Sequence, residues 1–482
     1  VNTMLSEVFS ETEFEAIRSY YRDPDVRARI NEFCGGKVFS CEYMIGFGEQ
    51  LRRRGYRKLL ILAEQAELPE LMENGLDIFR SVWDKKATLA VWDVEYFNLD
   101  TWSDLYRHQL DYFEMMEPTY TAIENVLRQY AIPHINDCTS SGYHFISEIP
   151  FSSPVHKRLE GIGHLEKSLR EKYALVPGGD NKRKRPVPDR DGKAYSGIGR
   201  LIEFLCHRVI RQARGESPLE ITISDAATGR SPRGREGMSL DITQYGDPLY
   251  MRDIRTSFST HQKHKVHVKK VGLENGRALP VQATVPRNEL SFFELFEIRK
   301  DLERAAEYAA QNRTAIPDAG EGWERVLEDY LASPLYSFHR EFDAVEQEPP
   351  SRWPETYWKL NLDSLPPCAA KALRNAKQEL IIPTNLQNIC RIFFALGWHP
   401  KHIAGLIRSY YKRDLGWYTD WTKYDPQTRA NFWARVYCGL LIDGLDSLKD
   451  FNCASQAEKG ICPHPGCGYD LDRLRDAVYR RL

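Results

Sequence analysis

Apolar and polar positions follow two different rhythms along this chain. Up to about Leu290, strand-like and helical patterns alternate. Leu89-Ala-Val-Trp-Asp-Val-Glu-Tyr-Phe reads as a hydrophobic strand, and Leu219-Glu-Ile-Thr-Ile-Ser alternates as a half-buried strand should. Glu117 to Tyr130 reads as a helix, followed by Ile132-Pro-His-Ile, a turn, and an apparent strand at Tyr143-His-Phe-Ile. Pro177-Gly-Gly-Asp-Asn-Lys-Arg-Lys-Arg-Pro reads as a polar, turn-rich loop. Beyond Leu290 helical patterns take over. Glu294 to Asn312 is a charged, Ala-rich helical run. Glu346 to Trp358, with Pro349, Pro350 and Pro354, reads as an irregular connection, and from Pro366 the chain is helical until a cysteine-rich loop. The pattern predicts an α/β (α+β) domain with mixed sheets over residues 1–300, a helical linker region over 301–355 and an all-α domain over 356–482. The break falls near residue 340. No internal repeat and no long low-complexity tract is present.

Composition narrows the function classes. A chain of 482 residues allows two or three domains and a large core. A net charge of −2 and a pI near 6.7 argue against a protein whose whole surface binds nucleic acid. A local basic groove stays open, because phosphate contacts depend on local charge. Arg52-Arg53-Arg54, Lys182-Arg183-Lys184-Arg185 and the stretch His261 to Lys270 are candidate clusters, though each alone reads as readily as a solvated loop or helix face. No run of about 18 apolar residues and no signal-peptide pattern at Val1-Asn-Thr-Met-Leu-Ser appears, so a cytoplasmic protein without a membrane partner is expected. The 10 cysteines do not read as a disulfide framework in that compartment. Three of them crowd into Cys453 to Cys467, which points to a metal or cluster site.

Three segments carry candidate chemistry. Asp93 and Glu95 are two apart on a strand, so both carboxylates project from one face. Such a pair suits Mg²⁺ or Mn²⁺, usually shared with substrate phosphates. Next, Asp137-Cys-Thr-Ser-Ser-Gly-Tyr-His is a small-residue turn leading into a strand that bears His144. Its backbone N–H groups and the histidine suit an anion, although a tight turn with a packed histidine is the plainer reading. Last, Asp241 ends an apolar stretch and is followed by Arg255, His261 and Lys263. Asp241 could complete a three-carboxylate cradle, and the cations could neutralise a triphosphate. In-line attack on an α-phosphorus is the reaction such parts serve.

In this order, Asp-x-Glu, Ser-Gly-Tyr-His and Leu-Asp…Ile-Arg-x-Ser-Phe-Ser-x-His-x-Lys, the segments resemble the catalytic subunit of archaeo-eukaryotic primases and primase-polymerases. The resemblance spans residues 30 to 290 at the level of motifs. It implies catalytic metals on Asp93, Glu95 and Asp241, and an incoming nucleotide held by Ser141, His144, Arg255, His261 and Lys263. Many members of the family carry Asp-x-Asp where this chain has Glu95, a change that keeps the carboxylate. The C-terminal part resembles the C-terminal domain of the primase large subunit, through Leu365-Pro-Pro-Cys368, the helix bearing Arg391 and the tail Cys453-x8-Cys462-Pro-His-Pro-Gly-Cys467. That likeness implies a [4Fe–4S] cluster on Cys368, Cys453, Cys462 and Cys467, with Arg391 facing nucleotide or template phosphates. Zinc on Cys453, Cys462, His464 and Cys467 is the competing arrangement.

The activity implied is template-directed primer synthesis from nucleoside triphosphates on single-stranded DNA. Replication, mobile-element and defence proteins all remain open as partners. Two other readings compete: a metal-dependent nuclease using the same carboxylates, and a non-catalytic nucleic-acid-binding protein with a structural metal.

Overall fold

The computed structural model describes residues 10–482 except 102–103, 176–186, 227–228, 251, 267–279, 376–379, 381 and 412–424. The loop expected at Pro177 to Pro186 and most of the basic stretch after Val266 lie outside the described residues. The protein is mixed α/β, with mixed sheets in its N-terminal region and a mostly helical C-terminal region.

Strands β1 (Met44–Phe47), β2 (Leu60–Ala63), β3 (Asp77–Ser81) and β9 (Asp253–Arg255) form an antiparallel sheet in the order β2-β1-β3-β9. A larger sheet is ordered β12-β5-β6-β4-β8-β7. It is built from β4 (Ala87–Asn98), β5 (Ile135–Cys138), β6 (Gly142–Pro150), β7 (Ile221–Ile223), β8 (Glu236–Asp241) and β12 (Val285–Pro286). Only β7 and β8 run parallel within it. A short ribbon pairs β10 (Thr260–His261) with β11 (Gln282–Ala283).

β4 is central to the larger sheet, and this explains its near-continuous apolar sequence: both of its faces are covered. Along its twelve residues only Asp93 and Glu95 are half-buried, and all the others are buried. The helices Gln109–Gln129 and Asp189–Ala213 cover the opposite face with their apolar stripes. Gly142 is required at the start of β6, because a Cβ there would lie 1.7 Å from the Val94 carbonyl oxygen.

The charged run after Leu290 divides into two helices, Phe292–Arg299 and Leu302–Ala310. Asp301 ends the continuity by capping the second, its side chain accepting from the Glu303 and Arg304 amides. Gly320–Leu331 still packs on the large sheet, where the Trp323 indole donates to the Ser147 hydroxyl at 3.0 Å. In Pro334–Ala344, Leu335 and Phe338 lie against Gly439, so this helix already touches the helical region. The proline-rich connection is made of short 3₁₀ turns between Pro350 and Ser364.

The helical region begins with Pro367–Arg374, Pro383–Ala395, Pro400–Tyr411 and Pro426–Ile442. Each opens on proline, whose missing N–H costs nothing in a first turn. The region is fixed to helix Asp189–Ala213 by a hydrogen bond between His207 and Asp443 at 2.7 Å and by the ion pair of Glu203 with Arg435 at 2.8 Å. Among the described residues, no helix is long and apolar enough to cross a membrane.

Candidate active site

The strand register assembles the acidic residues. Directly opposed residues on neighbouring strands share a face, and here Asp137, His144, Asp93 and Asp241 form one row across β5, β6, β4 and β8. Asp93 therefore sits between His144 and Asp241, with its Cα about 4.5–5.5 Å from each, as for any such pair. Glu95 lies in the next row of the same face, between Gly142 and Ser239. The carboxylates that the sequence places 148 residues apart (Asp93 and Asp241) are immediate neighbours.

The electrostatics bear the mark of this crowding. Burial, and next the charge of Asp93, push the Glu95 carboxyl up to about 8, against the pull of Lys263. Burial and Asp93 also raise Asp241, even though its Oδ1 accepts the Thr243 amide at 2.7 Å. Burial raises Asp137 to about 7, with the Ser257 hydroxyl hydrogen-bonded to the carboxylate. Burial alone would lower His144, but Asp93, Glu95 and Asp137 raise it, so its imidazolium is favoured. His144 Nε2 stands 3.4 Å from Asp93 Oδ1, and that buried oxygen makes no hydrogen bond.

A cavity of about 320 Å³ opens beside this row. Glu95, Ser141, His144, Arg255, His261 and Lys263 line it, which brings together every nucleotide-binding candidate of the N-terminal motifs. Ser141 donates to Glu95 Oε1 at 3.0 Å from the β5–β6 turn. The sharp turn between β9 and β10 places Arg255 and His261. It holds Phe258 at φ 62, a left-handed conformation fixed by a 2.6 Å bond from its amide to the Thr284 carbonyl. Arg255 lines the cavity but is not a free cation. It pairs with fully buried Asp77 at 2.6 Å and donates to the Thr260 carbonyl. His261 is buried, and burial followed by the charge of Arg255 lowers it well below the usual histidine range, so it is neutral. Lys263 is exposed and makes no ion pair among the described residues.

Asp225 joins this group unannounced by the sequence reading. It follows β7, and the surrounding protein, then Asp241 and Asp93, raise it to about 6, although solvent reaches it. The signal was available: like Asp241, it ends a short apolar strand.

The donor set suits a hard divalent cation, with an orphaned carboxylate oxygen at its centre. The side chains are not closed around one point: among the described residues no group of three or more His, Cys, Asp or Glu is arranged to hold an ion.

The C-terminal candidates fare differently. Arg391 does not face a groove. It is 1 % exposed, with Asp446 accepting from Nε at 2.8 Å and from a second nitrogen at 2.6 Å, and Asp450 accepting from the third at 3.1 Å. The cysteines of the tail are gathered without being closed. Cys453 Sγ donates to the Tyr469 carbonyl at 3.6 Å, and the Tyr469 hydroxyl donates to the Asp363 carbonyl at 3.0 Å, five residues before Cys368. Burial raises the Cys368 thiol to about 11, with nearby Cys462 adding to the shift. Cys462 and Cys467 are half-buried, Cys453 and His464 exposed. The donors match a thiolate centre in type, but neither the four cysteines nor the zinc alternative with His464 forms a coordinating group in this conformation.

No family model matches the chain, and no curated protein and no solved structure matches it.

Proposed function

We propose that the chain is a template-directed nucleotidyltransferase that starts strands de novo, a primase or primase-polymerase. The observation that carries this reading is the register that sets Asp93 beside Asp241, with Glu95 facing a cavity that His144, Arg255 and Lys263 also line. A nuclease would need the carboxylates but not those nitrogen-bearing groups.

Divalent cations on Asp93, Glu95 and Asp241 would neutralise the transferring phosphoryl group and activate the attacking 3′-hydroxyl. The chain's own groups do the rest. Lys263 reaches solvent and offers a mobile charge to a triphosphate. His144, whose imidazolium the neighbouring carboxylates favour, donates toward phosphate oxygens. Neutral His261 donates without adding charge. Arg255, already paired with Asp77, contributes a fixed guanidinium at the cavity wall rather than a free charge. The β5–β6 turn offers small residues that let an anion approach the backbone. Single-stranded DNA and nucleoside triphosphates are the partners that follow. In the helical region, Cys368, Cys453, Cys462 and Cys467 would hold a [4Fe–4S] cluster once their side chains close together, with zinc as the alternative.

The test is primer synthesis on unprimed single-stranded DNA with Mg²⁺ or Mn²⁺ and all eight nucleotides. The wild type makes short oligomers. The double variant Asp93→Ala, Glu95→Ala makes none while keeping its circular dichroism spectrum. Undiminished synthesis by that variant, or cleavage of the template in place of synthesis, overturns the proposal.

A further inference from the structure

The cavity has a second, largely apolar wall, whose aliphatic and aromatic side chains the phosphate chemistry does not use. The smaller sheet presents it. Its register aligns Leu62, Ile45, Phe79 and Arg255 in one row and Leu60, Phe47 and Asp77 in the next, all on one face. Of these, Ile45, Phe47, Leu60, Phe79 and Arg255 line the cavity, with Asp253 at its corner. The opposite face of the same sheet is ordinary core: Met44, Ile78 and Ile254 are buried, and Gly46 lies against Leu71 and Leu76. On the cavity-facing side Ile45 is buried as well, but Phe47 and Phe79 are only half-buried. Leu60 is 44 % and Leu62 49 % exposed on an edge strand, where apolar side chains are usually avoided.

We infer that this wall is the platform for the base of the bound nucleotide, with Phe47 and Phe79 supplying the aromatic faces. The inference rests on the nucleotide reading of the cavity and deepens it. Three features select a nucleobase as occupant. The wall is apolar and partly aromatic, and a planar heterocycle stacks on such a surface whatever its hydrogen-bonding edge. Glu95, Ser141 and His144 enter the same cavity from the larger sheet and its β5–β6 turn, and Arg255 ends the apolar row, so polar groups for phosphates and an apolar surface for a base line one cavity. The Arg255 guanidinium rests 4.4 Å from the Phe79 ring centroid and is itself held by Asp77, so the ring is braced. The wall's aliphatic and aromatic side chains offer no donor–acceptor pattern of their own. A template-directed enzyme needs that property, because pairing with the template must choose the base.

The experiment is calorimetric binding with Mn²⁺ and no template, comparing ATP with inorganic tripolyphosphate. Wild-type protein binds ATP about tenfold more tightly than tripolyphosphate, the stacking contribution of one base. Phe47→Leu and Phe79→Leu, each keeping an apolar side chain, lose most of that difference and leave tripolyphosphate affinity unchanged. Lys263→Ala weakens both ligands. Equal affinity for the two ligands in the wild type, or undiminished ATP preference in both Leu variants, overturns the platform. Failure of either ligand to bind the wild type sinks the nucleotide reading instead. Tripolyphosphate affinity serves as the internal check that the variants are folded.

Discussion

Glu95→Gln separates the electrostatic cost of the site from its use. The replacement keeps the shape and still accepts the Ser141 hydroxyl, but it cannot ionise. In the native protein burial and Asp93 push this carboxyl up to about 8, from 4.5 in the unfolded chain. Below pH 4.5 both states are protonated and the substitution changes nothing. Between 4.5 and 8 the unfolded state ionises while the native state keeps its proton, so stability falls as pH rises, and above 8 the full penalty is present. The shift corresponds to at most about 5 kcal/mol. Because solvent reaches the cavity, we expect Glu95→Gln to recover about 1–2 kcal/mol of it at pH 8.5. In thermal melts with EDTA the variant should be raised by about 1–2 °C at pH 8.5 and lose that advantage toward pH 5. Added Mn²⁺ should stabilise the wild type and leave the variant nearly unmoved, since the ion replaces the repulsion it relieves. A variant no more stable than wild type at pH 8.5, or equal Mn²⁺ stabilisation of both, would refute the reasoning.

Arg391→Met should destabilise the protein by about 3–5 kcal/mol, because it strands the buried Asp446 and leaves Asp450 with Lys459 alone, and Arg391→Lys should not restore the bidentate contact. A stable Arg391→Met protein with weakened template binding would instead place Arg391 on the nucleic acid. Anaerobically purified protein should be brown, absorb near about 400 nm and carry about four irons. Serine at Cys368, Cys453, Cys462 or Cys467 should lower that iron content and alanine at Cys390 should not; a colourless protein with one zinc per chain rejects the cluster. Asp225→Asn should raise the Mn²⁺ concentration for half-maximal synthesis by about tenfold without abolishing product, and an unchanged metal requirement removes Asp225 from the site.

How much was legible follows from the kind of information each feature carries. β4 and β6 were readable because their apolar runs are long and their polar interruptions few. The neighbours of Asp93 were not, because strand pairing is non-local and no spacing in the chain states that residue 93 faces residues 144 and 241. The motif resemblance supplied that grouping in advance. The apolar wall went unread for the opposite reason: Phe47 and Phe79 look like core residues in sequence, and only their half-buried place at the cavity shows otherwise. Arg391, which the likeness to the primase large subunit placed at phosphates, turns instead to Asp446 and Asp450, 55 and 59 residues further on, a pairing that no local pattern states. Asp225 was missed although its setting repeats that of Asp241.

The same register argument limits how the site can vary. A one-residue slip of β4 would turn Asp93 and Glu95 to the helix-covered face, so pairing on both edges of this strand protects the chemistry as well as the core. The edge formed by β7 and β8 is where the helical region meets the site. Past β7, the Ser224 hydroxyl lies 3.2 Å from the Tyr437 hydroxyl, with Ser224 held at φ 62 immediately before Asp225. Before β8, Arg235 donates to the Lys459 carbonyl at 3.2 Å, three residues ahead of Cys462. The cysteine-bearing tail thus adjoins the two strands that position Asp225 and Asp241, and β8 pairs directly with β4 from Asp93 to Asn98. Occupancy of the thiolate centre should therefore be read out in metal affinity at the carboxylates before it is read out in the fold.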